Sequence, residues 1–355
     1  MRVLITGHDG YIGTILAPMF VRAGHDVVGV DSLLFRECPF GDQTGLDIPE
    51  IRRDVRDLTV DDLAGFEAVV HLAAISNDPL GDLNPECTLD INYRATARVA
   101  ELAKAAGVER FLYSSSCSLY GSQGDAPIDE HADFLPVTPY GESKVLSEKA
   151  LMALADDSFS PTYFRNATAY GVSPRLRGDL VVNNLTGYAY TTGEVFMKSD
   201  GTPWRPLVHI EDISRAFLAA LSAPRELVHD EAFNVGGTEE NYRIRDVAEI
   251  VEDVVAGSHV RLADSAGPDL RNYRVNCDKL VSVLPDARPQ WNVRRGVEEL
   301  LAAFQANNLQ LEDLEGSRFL RIAKVLELVE ADRIDSSLRW VPTEGSASGV
   351  QGSPA

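Results

Sequence analysis

Val3-Leu4-Ile5-Thr6-Gly7-His8-Asp9-Gly10-Tyr11-Ile12-Gly13 opens the chain with a short apolar run, three glycines and the start of an apolar-periodic stretch. This order predicts a strand, a tight turn and a helix. The turn needs glycine for three reasons: the chain reverses sharply, its backbone must come close to a bound group, and the helix must pack on the strand. The helix N-terminus then directs N–H groups at any anion in the turn. A glycine triplet also serves as a plain strand-to-helix connector, so its surroundings decide the reading.

Outward from that turn, β-rich runs alternate with helical spacing. Strands are predicted at Val3–Thr6, Asp26–Asp31, Ala68–Leu72, Arg110–Ser114 and Pro161–Arg165, and helices at Tyr11–Ala23, Thr88–Ala106 and Pro139–Ala155. Such alternation implies a parallel sheet covered on both faces, a doubly wound α/β architecture. After about residue 170 the pattern becomes irregular and rich in Gly, Pro and Asn, with helical runs at Ile210–Ser222, Ile244–Val255 and Val293–Ala306. Residues 1–170 are therefore expected to form a dinucleotide-binding domain. Residues 171–340 should form mainly a smaller mixed α/β substrate lobe, with segments returning to the large domain and re-entering the sheet near Ala232–Val235. Residues 341–355, of which Gly345–Ala355 is rich in Gly, Ser and Ala, are expected to be a disordered tail.

The chain has 355 residues, 33 of them basic and 54 acidic, for a formal net charge of −21. That field repels phosphate backbones and anionic bilayers, so neither nucleic acid nor a membrane is an expected partner. An anionic ligand must instead be held by a few focused Arg side chains and backbone N–H groups. Cys38, Cys87, Cys117 and Cys277 are widely spaced and form no CxxC pair, which implies a reduced, cytoplasmic setting. The N-terminus enters a strand without the longer apolar run of a signal peptide, and no stretch approaches about 18 apolar residues. No metal-binding set is singled out.

The second predicted strand ends at Asp31, where a carboxylate can accept hydrogen bonds from adenosine ribose hydroxyls. The same charge would repel a 2′-phosphate, favouring NAD over NADP, although Arg36 lies close in sequence. Asp54-Val55 and Leu72-Ala73-Ala74 fall at the ends of the next two strand units, where they are expected to line adenine and pyrophosphate. With Gly7, Gly10, Tyr11, Ile12 and Gly13 they make up the expected cofactor site. Further on, Tyr140-Gly141-Glu142-Ser143-Lys144 puts a phenol and an ammonium one helical turn apart. An ammonium stabilises tyrosinate, so the phenol can exchange a proton with a substrate hydroxyl. A bare Tyr–Lys spacing is common, but this one follows a predicted strand and the loop Ser114-Ser115-Ser116-Cys117-Ser118-Leu119-Tyr120-Gly121.

Taken in order, GHDGYIG, Asp31, HLAA, SSSCSLYG, YGESK, GTPWRPLVHIEDI and FNVGG resemble the extended short-chain dehydrogenase/reductase family, in its nucleotide-sugar epimerase and dehydratase branch, over about residues 1–300. The resemblance implies a Rossmann-type fold and a catalytic triad of Ser116, Tyr140 and Lys144, with Lys144 also touching the nicotinamide ribose. It further implies NAD retained through the cycle, a nucleotide-diphosphate sugar substrate and a homodimer formed by helices of the large lobe. Arg205 and Arg271 match family arginines that hold the substrate's diphosphate and nucleoside, and Asn183 and Thr168 fall where the substrate is met. Ser116-Cys117-Ser118 stands where the 4,6-dehydratases resemble Thr-Asp-Glu, and the sugar-acid decarboxylases carry Glu at the position of Ser118. The chain is thus most similar to the 4-epimerases. Thr168 in Arg165-Asn166-Ala167-Thr168-Ala169-Tyr170-Gly171 replaces a usual Asn, and Ser76-Asn77-Asp78-Pro79 also departs from hexose epimerases, leaving base and sugar open. The alternatives are a 4-keto reductase or a dehydratase using different acids, and a non-catalytic dinucleotide sensor. Asp31 argues against an NADPH-consuming reductase, and the Tyr–Lys pair against a sensor.

Overall fold

The computed structural model describes residues 1–45, 47–76, 78–267 and 272–342. Strands β1 (Arg2–Thr6), β2 (Asp26–Asp31), β3 (Glu50–Arg52), β4 (Ala68–His71) and β5 (Arg110–Ser116) join Ser160–Asn166 and Glu231–Val235 in one seven-stranded sheet. Every pairing in it is parallel. Its spatial order is Glu231–Val235, Ser160–Asn166, β5, β4, β1, β2, β3, so the direction of winding reverses between β1 and β4. In such sheets ligands bind at that switch point, outside the carboxyl ends of the strands.

Alternation along β1 builds both sides of the core. Val3 and Ile5 pack with Leu16 and Phe20 of α1 (Gly13–Arg22) and with Ile213 and Phe217, whereas Leu4 packs with Val30, Val69, Val99 and Ala103. Burial on both faces explains why these strands are almost uninterruptedly apolar. Strand Glu231–Val235 returns from the second half of the chain to this core where the sequence placed it, and helix Ile210–Ser222, expected in the smaller lobe, packs on the same core. Smaller sheets build the rest: Trp204–His209 lies between Thr168–Tyr170 and Asn241–Arg243, and Glu194–Ser199 pairs with His259–Gly267.

Three departures from the sequence reading concern local structure. Strand β3 was not predicted. The helix expected at Thr88–Ala106 is interrupted: Pro85–Leu89 passes through one π-helical turn, Asp90–Arg94, before Ala95–Ala105 resumes. Helix α1 begins at Gly13, two residues after the expected Tyr11. The tail from residue 345 lies outside the described residues.

Candidate active site

A cavity of about 880 Å³ runs along the carboxyl ends of the strands. Its wall contains Gly7, Gly10, Tyr11, Ile12 and Gly13 from the first turn, Asp31, Asp54 and Val55 from the next strand units, and Leu72, Ala73 and Ala74 after β4. Ser116, Tyr140, Lys144, Thr168 and Arg205 line it too. Tertiary folding thus gathers these sequence-distant candidates in one space. Gly7 has φ +76°, and a Cβ there would lie 2.8 Å from the Ala73 backbone nitrogen; one on Gly13 would lie 2.3 Å from the Gly7 carbonyl oxygen. Both approaches exclude any larger residue, so α1 can start against the sheet with its first turn facing the cavity.

The Asp31 carboxylate accepts the backbone N–H groups of Leu33 at 2.8 Å and Asp9 at 3.2 Å, which fixes it at the cavity wall. Burial raises its pKa, and those two bonds oppose the rise. Arg36 is turned to other partners: its guanidinium grips Glu50 at 2.5 and 2.7 Å and reaches Asp9 at 3.4 Å. Asp54 is held by Arg56 at 2.9 and 2.6 Å; burial would raise its carboxyl, but these bonds leave it below the usual range. The glycine turn and a fixed carboxylate at the end of β2, with the nearby cation engaged elsewhere, fit a dinucleotide with an unphosphorylated ribose.

At the other end of this wall, helix Pro139–Met152 is capped by Thr138, whose Oγ1 accepts the Gly141 N–H at 3.1 Å. Its first turn presents Tyr140 and, four residues on, Lys144. The Lys144 ammonium lies 5.5 Å from the Tyr140 ring centroid and donates to the Ser114 carbonyl at 2.7 Å. Burial lowers Lys144 to about 7, against the pull of Glu148. Burial raises Tyr140 to about 12, opposed by the hydrogen bond with the Ser116 side chain. Glu148 anchors the helix from below: it is fully buried, takes Arg165 Nη2 at 2.7 Å and accepts the Ser115 hydroxyl at 2.5 Å. Cys117 turns away, its Sγ on the Arg165 carbonyl at 3.0 Å, and burial pushes its thiol above the ordinary range.

Two sequence candidates fare differently. Asn183 is fully buried and does not line the cavity: its amide donates to Tyr11 OH at 3.1 Å and the Arg177 carbonyl at 3.0 Å and accepts the Gly171 N–H at 3.1 Å. It positions Tyr11 and the chain near Gly171, and its neighbour Asn184 lines the wall instead. Arg271 lies outside the described residues. The sequence reading missed Arg177, which lines the cavity, pairs with Asp179 at 2.7 Å and donates to Ser76 Oγ at 3.0 Å. It also missed Arg321, contributed by a helix near the C-terminus, and assigned no role to Asp78, which lies near enough to Tyr140 to raise its phenol.

A doubly wound sheet with a glycine turn after its first strand, an acid ending the second and a half-buried Tyr one turn from a buried Lys beside a serine defines the extended short-chain dehydrogenase/reductase class. Residues 3–236 match the NAD dependent epimerase/dehydratase family, and the chain belongs to that family, with NAD as its cofactor. It is 29% identical over 269 residues to the UDP-glucose 4-epimerase of Corynebacterium glutamicum, covering 72% of this chain and 80% of that one. Among solved structures it resembles MoeE5 in complex with UDP-glucuronic acid and NAD, at a TM-score of 0.75 and 27% identity over 86% of this chain and 99% of that one. It shares the fold of TunA, an NAD-dependent NDP-hexosamine 5,6-dehydratase, at a TM-score of 0.77 and 24% identity over 86% and 98% of the two chains. No helix among the described residues is long and apolar enough to cross a membrane.

Proposed function

We propose that this chain is a nucleotide-sugar 4-epimerase, with Tyr140 as acid/base, Lys144 as its electrostatic partner and Ser116 as the group that orients the sugar hydroxyl. The observation that carries the reading is the convergence of Ser116, Tyr140 and the buried Lys144 amine on one cavity wall, at the head of a loop that brings no carboxylate. Bound NAD supplies a reversible hydride acceptor. The residues do the rest: Tyr140 takes the proton of the 4-hydroxyl as the 4-keto sugar forms, and returns it after the sugar has turned its other face. Lys144 lowers the cost of the phenolate in a site too dry to solvate it. The likeness to UDP-glucose 4-epimerases supports this reaction type. Arg205, buried in the cavity wall with its guanidinium 5.9 Å from the Tyr273 ring, is placed to meet the diphosphate or nucleoside. Residues 1–170 would form the cofactor domain and 171–340 the substrate lobe, and the active form would be a cytoplasmic dimer.

A second reading, water elimination, draws on Asp78: a carboxylate in the cavity wall beside Tyr140 is an acid that the Ser116 loop lacks. Incubating the enzyme with a panel of nucleotide sugars and following the products by NMR separates the two. A mixture of C4 epimers supports epimerisation, and a deoxy-keto sugar overturns it.

A further inference from the structure

The residues after Ala306 continue past the family match, and nothing in their sequence suggests a role. Helix Arg321–Glu330 and the segment to Trp340 fold back over the loops that follow β2 and β4. Val325 and Leu328 pack with Ile75 and Leu80, and against Leu34 and Phe35. Polar fastenings tie this strap down: Trp340 Nε1 donates to the Ser32 carbonyl at 2.6 Å, Arg333 takes Glu37 at 3.0 and 3.1 Å, and Arg339 reaches Asp57 at 2.5 Å. Arg321, Val325 and Leu338 thereby share one cavity with Asp31 and the glycine turn.

Arg321 is the anomaly in this strap. It is only 6% exposed, its guanidinium lies 4.0 Å from the Phe35 ring centroid, and Nη2 donates to the Arg175 carbonyl at 2.9 Å. Its Nη1 is buried with no hydrogen-bond partner among the described residues. The neighbouring arginines have carboxylates, Arg175 with Asp9 at 2.8 Å and Arg177 with Asp179 at 2.7 Å, whereas no carboxylate pairs with Arg321 among the described residues. Burial and the charge of Arg177 pull its pKa down to about 10. Asp179, the carboxylate whose charge reaches Arg321, is already gripped by Arg177; a buried cation with no carboxylate of its own weakens the fold, and an anion entering the cavity would relieve it.

We propose that Arg321 binds the pyrophosphate of NAD and that residues 321–340 are a strap closing over its adenosine half. The inference rests on NAD lying along the glycine turn. Phe35, Leu34 and Leu338 place Arg321 on the adenosine side of the cavity, while Arg205 and Tyr273 mark the other ligand's end. Its neighbour Arg177 is close enough to Tyr11 of the glycine turn to act on that phenol, which places the cationic group by the turn that receives a pyrophosphate.

The test is Arg321→Met, which keeps the apolar stem and removes the charge, titrated calorimetrically after removal of cofactor. NAD and ADP-ribose should bind roughly 10- to 100-fold more weakly than to the wild type, the range of a lost charge-assisted hydrogen bond. Adenosine and UDP affinities should stay within about 2-fold, while the cofactor-free variant melts at the same or a higher temperature. Arg321→Lys should recover part of the NAD affinity. Unchanged NAD affinity in Arg321→Met would overturn the proposal, as would an equal loss for adenosine, a lower melting temperature of the cofactor-free protein, or a loss confined to NADP. Wild-type protein that binds no NAD would instead overturn the cofactor placement beneath it.

Discussion

Tyr140 and Lys144 are under opposing pressures from one dry pocket. Burial keeps the phenol protonated, at about 12, and keeps the amine near neutrality, at about 7. Tyr140→Phe removes the ionisable oxygen but leaves the ring, so fold and NAD affinity should persist while turnover falls about 10²–10⁴-fold, the usual contribution of general acid–base catalysis. Steady-state kinetics beside calorimetric NAD titration checks both halves. Lys144 adds a pH signature. Its pKa is about 7 in the folded protein against 10.5 for an ordinary solvated lysine, so below pH 7 both states carry the proton and the folded protein bears the full cost of a buried charge. Between pH 7 and 10.5 the unfolded chain binds more protons, so stability from this residue rises with pH. Relative to Lys144→Met, the cofactor-free wild type should gain up to about 4–5 kcal/mol over that range, measured by urea unfolding. A flat difference would mean the amine is not desolvated. At this scale much of the site was legible: the Tyr–Lys spacing, the serine before it and Asp31 are local signals. Asn183 was read as a substrate contact because sequence cannot show that its amide is buried away from the cavity on Tyr11, Arg177 and Gly171.

Between residue and fold stands the π turn Asp90–Arg94. It carries Asn92, whose side chain accepts the Ile75 N–H at 2.7 Å and donates to the Ile75 carbonyl at 2.9 Å and to Ser143 Oγ at 3.2 Å. One amide thus ties the loop after β4, which lines the cavity, to the helix bearing Tyr140 and Lys144. Asn92→Ala strands those backbone groups in the core, so unfolding free energy should drop by about 2–4 kcal/mol. Turnover should fall along with it, as the helix bearing Tyr140 and Lys144 loses its tie to the Ile75 loop; denaturant midpoints and kcat measured on one preparation test this. A variant as stable and active as wild type would remove Asn92 from the account. The π turn was invisible in sequence because one extra residue per turn barely disturbs the apolar periodicity of Thr88–Ala106. Strand β3 was missed for a different reason: three half-exposed residues at a sheet edge are too few to show alternation. Helices Ile210–Ser222 and Val293–Ala306 were read to the residue, each having a strongly apolar stripe and a clear capping position.

Over the whole molecule, an acidic chain brings three of its buried arginines to one cavity. Arg177, Arg205 and Arg321 reach that cavity from three distant parts of the sequence, and the global charge of −21 gives no hint of it. Arg205 was legible through its motif. Arg177 and Arg321 were not, since their meaning comes from the strap and from the loop after Gly171 folding onto the glycine turn. The same architecture would hold the cofactor in place while the sugar is oxidised and reduced. Substrate carrying deuterium at C4, turned over in ordinary water, tests it most directly by NMR and mass spectrometry. The label should remain at C4 in both epimers, no solvent hydrogen should enter the sugar carbons in a parallel reaction in D2O, and no reduced cofactor should have to be added. Solvent label at C5 with loss of the 6-hydroxyl, label at C3 or C5 without water loss, or a stoichiometric demand for NADPH would contradict it.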